Sequence, residues 1–241
     1  MSTAPQSSEE ELKNAKFVLF NLLRALKFFY SFKELERILG VPSQVLWRYV
    51  TLRAMPEKDT AQRILNKIMK EGVIEKTLKR VIESSNGDEW RLLGNPGVLE
   101  LAGLKVADML KKTRVDVVLA PCDGYSVALA TIIATYLKSR ICIATRYLYS
   151  NNNTVEYYRE GGSVEAIAVP SDCIPKKARV VIILATEYSA NCLDAVINII
   201  KRRRGEIISI FSLTEIKTRR MPEAISIKAF NGFLKNFSPT K

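Results

Sequence analysis

The sequence predicts a protein of two parts: an all-α amino-terminal domain with a helix-turn-helix, and a carboxyl-terminal α/β domain with a mainly parallel, doubly wound sheet. Three observations predict this fold class. Residues 32–53 have the pattern of a short helix, a glycine-containing turn and a second short helix. Residues 179–213 have the pattern of a βαβ unit, with an apolar strand, a polar loop, a helix and another strand. Turn-forming residues cluster between these two segments.

The βαβ unit begins with an apolar run over residues 180–184, which suits a strand buried on both faces of a sheet. A polar loop over residues 185–191 follows. The next helix, over residues 192–203, has one apolar face, and a second strand covers residues 206–213. Such a loop lies at the carboxyl edge of a parallel sheet, where ligands bind, and a helix amino terminus there favours anions.

The amino-terminal part has the pattern of five consecutive helices, over residues 11–30, 32–39, 44–53, 57–71 and 73–84. Ser31 and Glu34 have capping-box spacing at the start of the second helix. Gly40 suits the left-handed position that ends it, and Ser43 is a good N-cap for the third helix. The second and third helices therefore predict a helix-turn-helix.

The outer face of the third helix carries polar and aromatic side chains, because the apolar positions of this segment hold the two helices together. Arg48 can pair with guanine edges or phosphate, and Gln44 with adenine edges. Arg53 and Lys58 are better placed to contact phosphates. The alternative is a plain pair of helices whose polar face is only solvated. The predicted DNA-contacting residues are Ser43, Gln44, Trp47, Arg48, Thr51, Arg53 and Lys58.

Two clusters of turn-forming residues, over residues 84–88 and 95–97, predict the domain boundary. The sequence therefore divides into a disordered tail (1–10), a helix-turn-helix domain (11–90) and an α/β domain (91–241). The α/β domain has further predicted helices over residues 98–112 and 124–137, and further strands over residues 115–120, 141–148, 164–169 and 224–230.

Composition limits the kind of protein. The chain of 241 residues carries a net charge of +12, which favours a polyanionic partner. It has no histidine, which removes the commonest general acid and base near neutral pH. Four widely spaced cysteines, without histidine, predict reduced buried thiols and no metal site. No apolar run has the length of a membrane span, and the polar amino terminus is no secretory signal, so a cytoplasmic location is expected.

The βαβ unit resembles type I phosphoribosyltransferases. That family has a four-residue apolar strand, two acidic residues, two variable residues, and a glycine-rich phosphate turn that enters a helix. Here residues 180–183 match the strand, Leu184 and Ala185 take the acidic positions, and residues 188–192 take the phosphate turn. In the family the acidic pair holds the ribose hydroxyls of phosphoribosyl pyrophosphate, so the resemblance implies the family's scaffold without its catalysis.

The resemblance also implies a ligand loop, whose tentative members are Thr186, Glu187, Tyr188, Ser189, Ala190, Asn191 and Cys192. Ser126, in the loop that corresponds to the pyrophosphate loop of the family, is a further candidate phosphate contact. Residues 149–162 match the family's mobile hood, from which Arg146, Tyr157, Tyr158 or Arg159 could reach a ligand, although a flexible surface hairpin is the simpler interpretation.

Both parts together resemble transcriptional regulators that join a helix-turn-helix to a phosphoribosyltransferase-like domain, known in archaea and related in plan to purine repressors of Gram-positive bacteria. The resemblance implies a homodimer that binds double-stranded DNA, has no catalytic residue and no cofactor, and senses phosphoribosyl pyrophosphate or a nucleotide. Four alternatives stay open: an active phosphoribosyltransferase in which Glu187 replaces the missing acids, a dimerisation scaffold without effector, RNA binding, and a DNA-backbone patch at residues 201–204 with Lys217, Arg219 and Arg220.

Overall fold

The computed structural model describes residues 4–86, 88–121, 124–148, 152–185, 189–213 and 227–229, with side chains described from residue 15 onward except at 227–229. The chain forms two compact units that divide between Leu104 and Lys105. The sequence predicts the boundary near residues 85–97, whereas this division falls within the helix Pro96–Leu110. No helix in the described part of the chain is long and apolar enough to cross a membrane.

The first unit is built from helices. Their bounds are α1 (Ala4–Leu26), α2 (Phe32–Leu39), α3 (Ser43–Val50), α4 (Lys58–Lys70), α5 (Val73–Ser84), α6 (Glu89–Leu93) and α7 (Pro96–Leu110), the last of which contains the division between the units. Leucine and isoleucine side chains form the core of this unit. Those fully buried include Leu19, Leu22, Leu23, Leu26, Leu35, Leu46, Ile64, Ile68, Ile74 and Leu78. Helix α1 begins at Ala4, whereas the sequence predicts a start at residue 11.

The turn between α2 and α3 is fixed by local contacts. The predicted capping box of α2 is confirmed, since the Ser31 N–H donates to Glu34 Oε2 at 2.6 Å and the Glu34 N–H donates to Ser31 Oγ at 3.2 Å. Gly40 ends α2 with φ of 68°, a conformation that costs glycine little. The buried side chains of Leu35 and Leu46 lie on the facing helices.

The prediction that Ser43 caps α3 is wrong. Ser43 is the first residue of α3, and the side chain of the preceding residue makes no capping bond. The carboxylate of Glu36 takes this role instead, because its Oε2 accepts a hydrogen bond from the Ser43 N–H at 3.2 Å. Helix α3 is also shorter than predicted: it ends at Val50, and Leu52 has a left-handed φ of 57°.

The second unit contains the predicted parallel sheet. Its five strands lie in the order β2-β1-β5-β6-β7 and all pair in parallel. Their bounds are β1 (Val117–Pro121), β2 (Arg140–Ala144), β5 (Arg179–Leu184), β6 (Glu206–Ser212) and β7 (Ile227–Ala229). Helices α8 (Gly124–Leu137) and α9 (Ala190–Arg202) follow β1 and β5. Strand β5 is buried from Val180 to Leu184, as expected for a central strand covered on both faces.

The direction of strand order reverses between β1 and β5, because β2 lies on one side of β1 whereas β5, β6 and β7 follow on the other. In open α/β sheets, ligands bind outside the carboxyl ends of the strands at such a reversal. The loops after β1 and β5 are therefore the expected ligand loops. Residues 122–123 and 186–188 of these loops lie outside the described residues.

Residues 149–162, predicted as a hood or a flexible hairpin, contribute instead to a regular antiparallel hairpin in their described part. Its strands are β3 (Asn153–Glu160) and β4 (Ser163–Pro170), paired without a register shift. The buried face of this hairpin joins the core of the second unit through Tyr158 and Ile167. Burial of one face fixes the register, which a free surface loop would not require.

The prediction that all cysteines are reduced is wrong for two of them. Cys142 in β2 and Cys173, after β4, form a disulfide, with Cα atoms 5.8 Å apart. Cys192 is free and buried. The pairing follows from the fold, because the chain returns after β4 to the start of β2, and spacing along the sequence does not show this return. In the described ranges, no group of histidine, cysteine, aspartate and glutamate side chains could hold a metal ion.

Candidate functional site

Helix α3 in the first unit leaves a polar and aromatic face exposed. Gln44, Arg48 and Thr51 are exposed, and Trp47 keeps 39% of its surface accessible. Ser43 is half-buried, and its backbone N–H donates to Glu36. The opposite face of α3 is anchored by Leu46, whose side chain is fully buried. The predicted residues of this helix therefore lie together on one accessible surface, with Ser43 at its edge.

The segment that follows α3 places Arg53 against this face. The Arg53 guanidinium lies over the ring of Trp47, 4.8 Å from its centroid. The Arg53 N–H donates to the Arg48 carbonyl at 2.9 Å, and Thr51 Oγ1 donates to the Trp47 carbonyl at 2.7 Å. These contacts hold the cation of Arg53 next to the aromatic ring, where cation–π attraction adds about 0.5–1 kcal/mol at an exposed site.

Two apolar side chains near this surface were missed by sequence reasoning. Leu52 is 59% exposed and Met55 is 49% exposed, both between α3 and α4. The exposure of Leu52 accompanies its left-handed backbone, which turns the chain after α3. No signal in the sequence indicates that backbone conformation at a leucine. Lys58, the last of the predicted contacts, is exposed at the first position of α4.

In the second unit, the two positions that the resemblance assigns to the acidic pair of phosphoribosyltransferases are buried and apolar. Leu184 is 1% exposed and Ala185 is 0% exposed. The Ala185 N–H donates to Ser126 Oγ at 2.8 Å, and Ser126 is itself fully buried at the start of α8. Ser126, predicted as a phosphate contact, therefore joins the ends of β1 and β5. Neither the Leu184 nor the Ala185 side chain contains an oxygen atom.

The described half of the predicted ligand loop is occupied by internal hydrogen bonds. Ser189 is the N-cap of α9, since its Oγ accepts from the Cys192 N–H at 3.1 Å. Asn191 Nδ2 donates to the Arg159 carbonyl at 2.9 Å, Cys192 is buried, and Ala190 is half-buried. The predictions for Thr186, Glu187 and Tyr188 lie outside the described residues. An anion at this helix terminus would compete with Ser189 for the amide of Cys192.

The β3–β4 hairpin is fastened along α9. Near the end of the helix, Arg202 Nη1 donates to the Val155 carbonyl at 2.9 Å and to Glu156 Oε2 at 2.7 Å. At the start of the helix, Asn191 contacts the hairpin, as described above. Arg202, a member of the predicted patch at residues 201–204, therefore has a partner in the hairpin while 60% of its side chain stays exposed. Lys217, Arg219 and Arg220 of that patch lie outside the described residues.

Tyr158 fills the space between the hairpin and the start of α9. Burial, with a hydrogen bond to Cys192, raises the pKa of Tyr158 to about 12. Its phenol is therefore neutral at physiological pH and packs as part of the core. Arg146 is exposed and lies 3.5 Å from Glu165 Oε2 through its Nη1, and Tyr157 and Arg159 are also exposed. Of the four predicted hood residues, only Tyr158 is removed from the surface.

Comparison with known proteins gives a structural likeness only. No family model matches the chain, and no curated protein matches it. Solved adenine phosphoribosyltransferases from Thermoanaerobacter pseudethanolicus and Rhodothermus marinus are similar, with TM-scores of 0.51 and 0.50 and identities of 16% and 19%. Each alignment covers 58% of this chain and 83% or 82% of the solved chain.

The adenine phosphoribosyltransferase of Saccharomyces cerevisiae, solved with an imino-altritol bisphosphate and adenine, has a TM-score of 0.50 at 11% identity over the same share of this chain. Identities this low establish the fold and not the chemistry. The parallel sheet with its helices therefore has the fold of type I phosphoribosyltransferases.

Proposed function

We propose that this protein is a DNA-binding transcriptional regulator whose phosphoribosyltransferase-like unit is catalytically degenerate and serves in dimerisation and in sensing a phosphorylated ligand. The observation that carries the proposal is the exposed face of α3. Gln44, Trp47 and Arg48 project from a short helix that a glycine turn joins to α2. This is the arrangement in which a helix-turn-helix places its second helix in the major groove.

The side chains of this face suit base edges and phosphates. Arginine pairs bidentately with guanine, and glutamine with adenine, so Arg48 and Gln44 are the proposed base-reading residues. Arg53, held on the Trp47 ring, and Lys58 are the proposed phosphate contacts. The net charge of +12 favours such a partner independently of sequence recognition.

The buried Leu184 and Ala185 support the loss of catalysis. Transfer of a phosphoribosyl group needs the ribose to be held, and apolar side chains sequestered at these two positions provide no acceptor for its hydroxyls. The unit keeps a sheet edge where small ligands bind in related folds. A phosphorylated ligand at this edge, and association of two copies, are the proposed roles of the second unit.

A homodimer follows from the size of the DNA-reading element. One eight-residue helix contacts few base pairs, and dimeric helix-turn-helix proteins gain affinity by reading two half-sites about one helical turn apart. Sedimentation equilibrium should therefore give twice the chain mass of 27.2 kDa. A monomer at the concentrations that saturate DNA would remove dimerisation from the proposal.

The direct experiment recovers bound fragments from genomic DNA and titrates the preferred duplex with protein. Arg48→Ala should lose about 1–3 kcal/mol of binding free energy and relax specificity at one base position. Arg91→Ala is the matched control: it removes the same charge from α6, where Arg91 is exposed and its Nε pairs with Asp88 Oδ2 at 3.2 Å. Equal affinities for the two variants would contradict the assignment of α3.

The competing function is an active phosphoribosyltransferase, favoured by the likeness to solved enzymes of that activity. It requires Glu187 to supply the missing carboxylate from a position two or three residues later in the chain. Incubation of the protein with phosphoribosyl pyrophosphate, magnesium and each purine or pyrimidine base distinguishes the two functions. Formation of a nucleotide would overturn the proposed degeneracy.

A further inference from the structure

A cleft opens at the amino-terminal edge of the sheet, at the end of β5 opposite to the expected ligand loops. The two ends of β5 are about 16 Å apart, because a strand advances about 3.3 Å per residue. The cleft has a volume of about 360 Å³. Its charged lining residues are Arg114, Asp116, Lys176, Lys177, Arg179 and Glu206.

Four of these side chains are cationic and two are anionic, and one of the two carboxylates is already engaged. Asp116 Oδ1 accepts from Arg114 Nε at 2.8 Å, and its Oδ2 accepts from the Arg179 backbone N–H at 2.9 Å. Asp116 thereby balances Arg114. The rest of the charged lining consists of three cations and one carboxylate: Lys176, Lys177 and Arg179, with Glu206. The cleft therefore keeps an excess of positive charge.

Arg179 brings a partly unsatisfied guanidinium to the lining of the cleft. The side chain is half-buried, and its Nε is sequestered from solvent without a hydrogen-bond partner among the residues that the structure describes. Leaving a buried donor without an acceptor is unfavourable. An anion bound in the cleft would give the Arg179 guanidinium an acceptor.

Lys177 adds an independent observation from the backbone. It occupies the third position of a turn that the Ala178 N–H closes on the Pro175 carbonyl at 3.1 Å, and its φ is 62°. Glycine or asparagine is usual at such a position, because a side chain is strained there. Lysine is present despite the strain, and Arg204, outside the cleft, has the same backbone conformation and allows a comparison.

We propose that this cleft is a second anion site, which binds a small ligand carrying two or more linked phosphate groups. Lys176 and Lys177 would neutralise the outer phosphate oxygens, and the guanidinium of Arg179 would donate to an inner one. A ligand of this class suits a cleft of about 360 Å³ better than a DNA strand does, because strand backbones are contacted along open surfaces. The site is independent of the DNA-binding face and of the loops after β1 and β5.

Titration calorimetry of the full chain with inorganic pyrophosphate tests the proposal. Wild-type protein should bind one pyrophosphate per chain, and Arg179→Met should weaken binding at least tenfold by removing the charged donor. Lys177→Gly should weaken it similarly while the thermal midpoint stays equal or rises, because glycine relieves the left-handed backbone. A lower affinity together with unchanged or higher stability separates a ligand contact from a structural role.

Arg204→Gly is the matched control. Arg204 also has a left-handed φ, of 59°, and its carbonyl accepts from the Lys177 N–H at 2.8 Å, but its side chain is not among those lining the cleft. This variant loses the same charge and the same strain, and should keep pyrophosphate affinity within about threefold, since a nearby exposed charge contributes little.

Three results would overturn the proposal. One is the absence of pyrophosphate binding at about 1 mM, where even weak ligands are detected. The second is binding that Lys177→Gly leaves intact and Asn191→Ala abolishes, which would place the anion at the start of α9. The third is a result in which Lys177→Gly weakens binding of the recovered duplex and the wild-type protein binds no pyrophosphate. The cleft would then be a DNA-backbone contact. Failure of DNA binding alone would affect only the proposed function.

Discussion

The exposed face of α3 and the carboxyl edge of the sheet show opposite uses of side chains. Helix α3 keeps Trp47 and Arg48 at the surface, where smaller polar residues would serve solubility equally well. The sheet edge buries Leu184 and Ala185, at the positions that the resemblance to phosphoribosyltransferases assigns to acids. Helix α3 therefore exposes side chains that folding does not require, whereas the sheet edge lacks the polar side chains that the resemblance leads one to expect.

This difference indicates where function is to be sought in the chain. A fold shows which surfaces are available, whereas the side chains at those surfaces decide the chemistry. Likeness to adenine phosphoribosyltransferases would direct attention to the ligand loops, yet Ser189 and Asn191 there are bonded to their own helix and hairpin. The helical unit, in contrast, leaves the polar and aromatic side chains of α3 exposed.

The largest expected effect comes from restoring an acid to the sheet edge. Leu184→Asp should lower the free energy of unfolding by about 3–5 kcal/mol, because it removes a buried apolar side chain and buries a carboxylate without a partner. Denaturant titration measures the change. Leu148→Asp is the control, since Leu148 is 67% exposed, and its effect should stay within about 0.5 kcal/mol. Equal stabilities of wild type and Leu184→Asp would mean that the sheet edge can accommodate a carboxylate. That result would contradict the contrast drawn between α3 and the sheet edge.

A smaller loss of unfolding free energy is expected at the serines where α2 and α3 begin. Ser31→Ala should cost about 1 kcal/mol of unfolding free energy, because Ser31 Oγ satisfies a free N–H at the start of α2. Ser43→Ala should cost a few tenths of a kcal/mol or less, because Glu36 caps α3 in its place. Chemical denaturation of both variants provides the measurement. A larger loss for Ser43→Ala would contradict the cap assignment that positions α3.

The smallest effect is a pH dependence at the amino-terminal edge of the sheet. Hydrogen bonds from the Arg179 backbone N–H and the Arg114 side chain lower the pKa of Asp116 below its ordinary value of 3.8. A lowered folded pKa stabilises the protein above the unfolded value, and this contribution is lost as pH falls from about 3.8 through the lower folded value. Asp116→Asn lacks the charge at every pH. The difference in unfolding free energy between wild type and this variant should therefore narrow as pH falls below about 3.8, and a constant difference would exclude the linkage.

Local patterns in the sequence predicted much of the fold. Helix α8 has its predicted bounds, because its apolar residues and its flanking turns are contiguous. Strand β3 was missed, because Asn153–Glu160 is polar by composition and becomes a strand by packing Tyr158 against α9. The Glu36–Ser43 cap was missed for a similar reason, since it depends on the path of the turn between them.

The candidate sites divide in the same way. The polar face of α3 follows from helical spacing and could be predicted, with the exception of the half-buried Ser43. The basic cleft could not be predicted, because Arg114 precedes β1 and Arg179 begins β5, and the two meet through Asp116 in the folded chain. Composition and periodicity do not reveal contacts between residues that are distant in the sequence, so these contacts could not be predicted.

The most direct test of the central claim is the accessibility of Trp47 in the presence of DNA. Trp90→Phe leaves Trp47 as the single tryptophan, since the chain has two. Iodide quenching of its fluorescence should be strong in the free protein, where the side chain is 39% exposed, and should fall clearly when the preferred duplex saturates the protein. Quenching that is unchanged at saturation would show that α3 does not face DNA, and would contradict the proposed function.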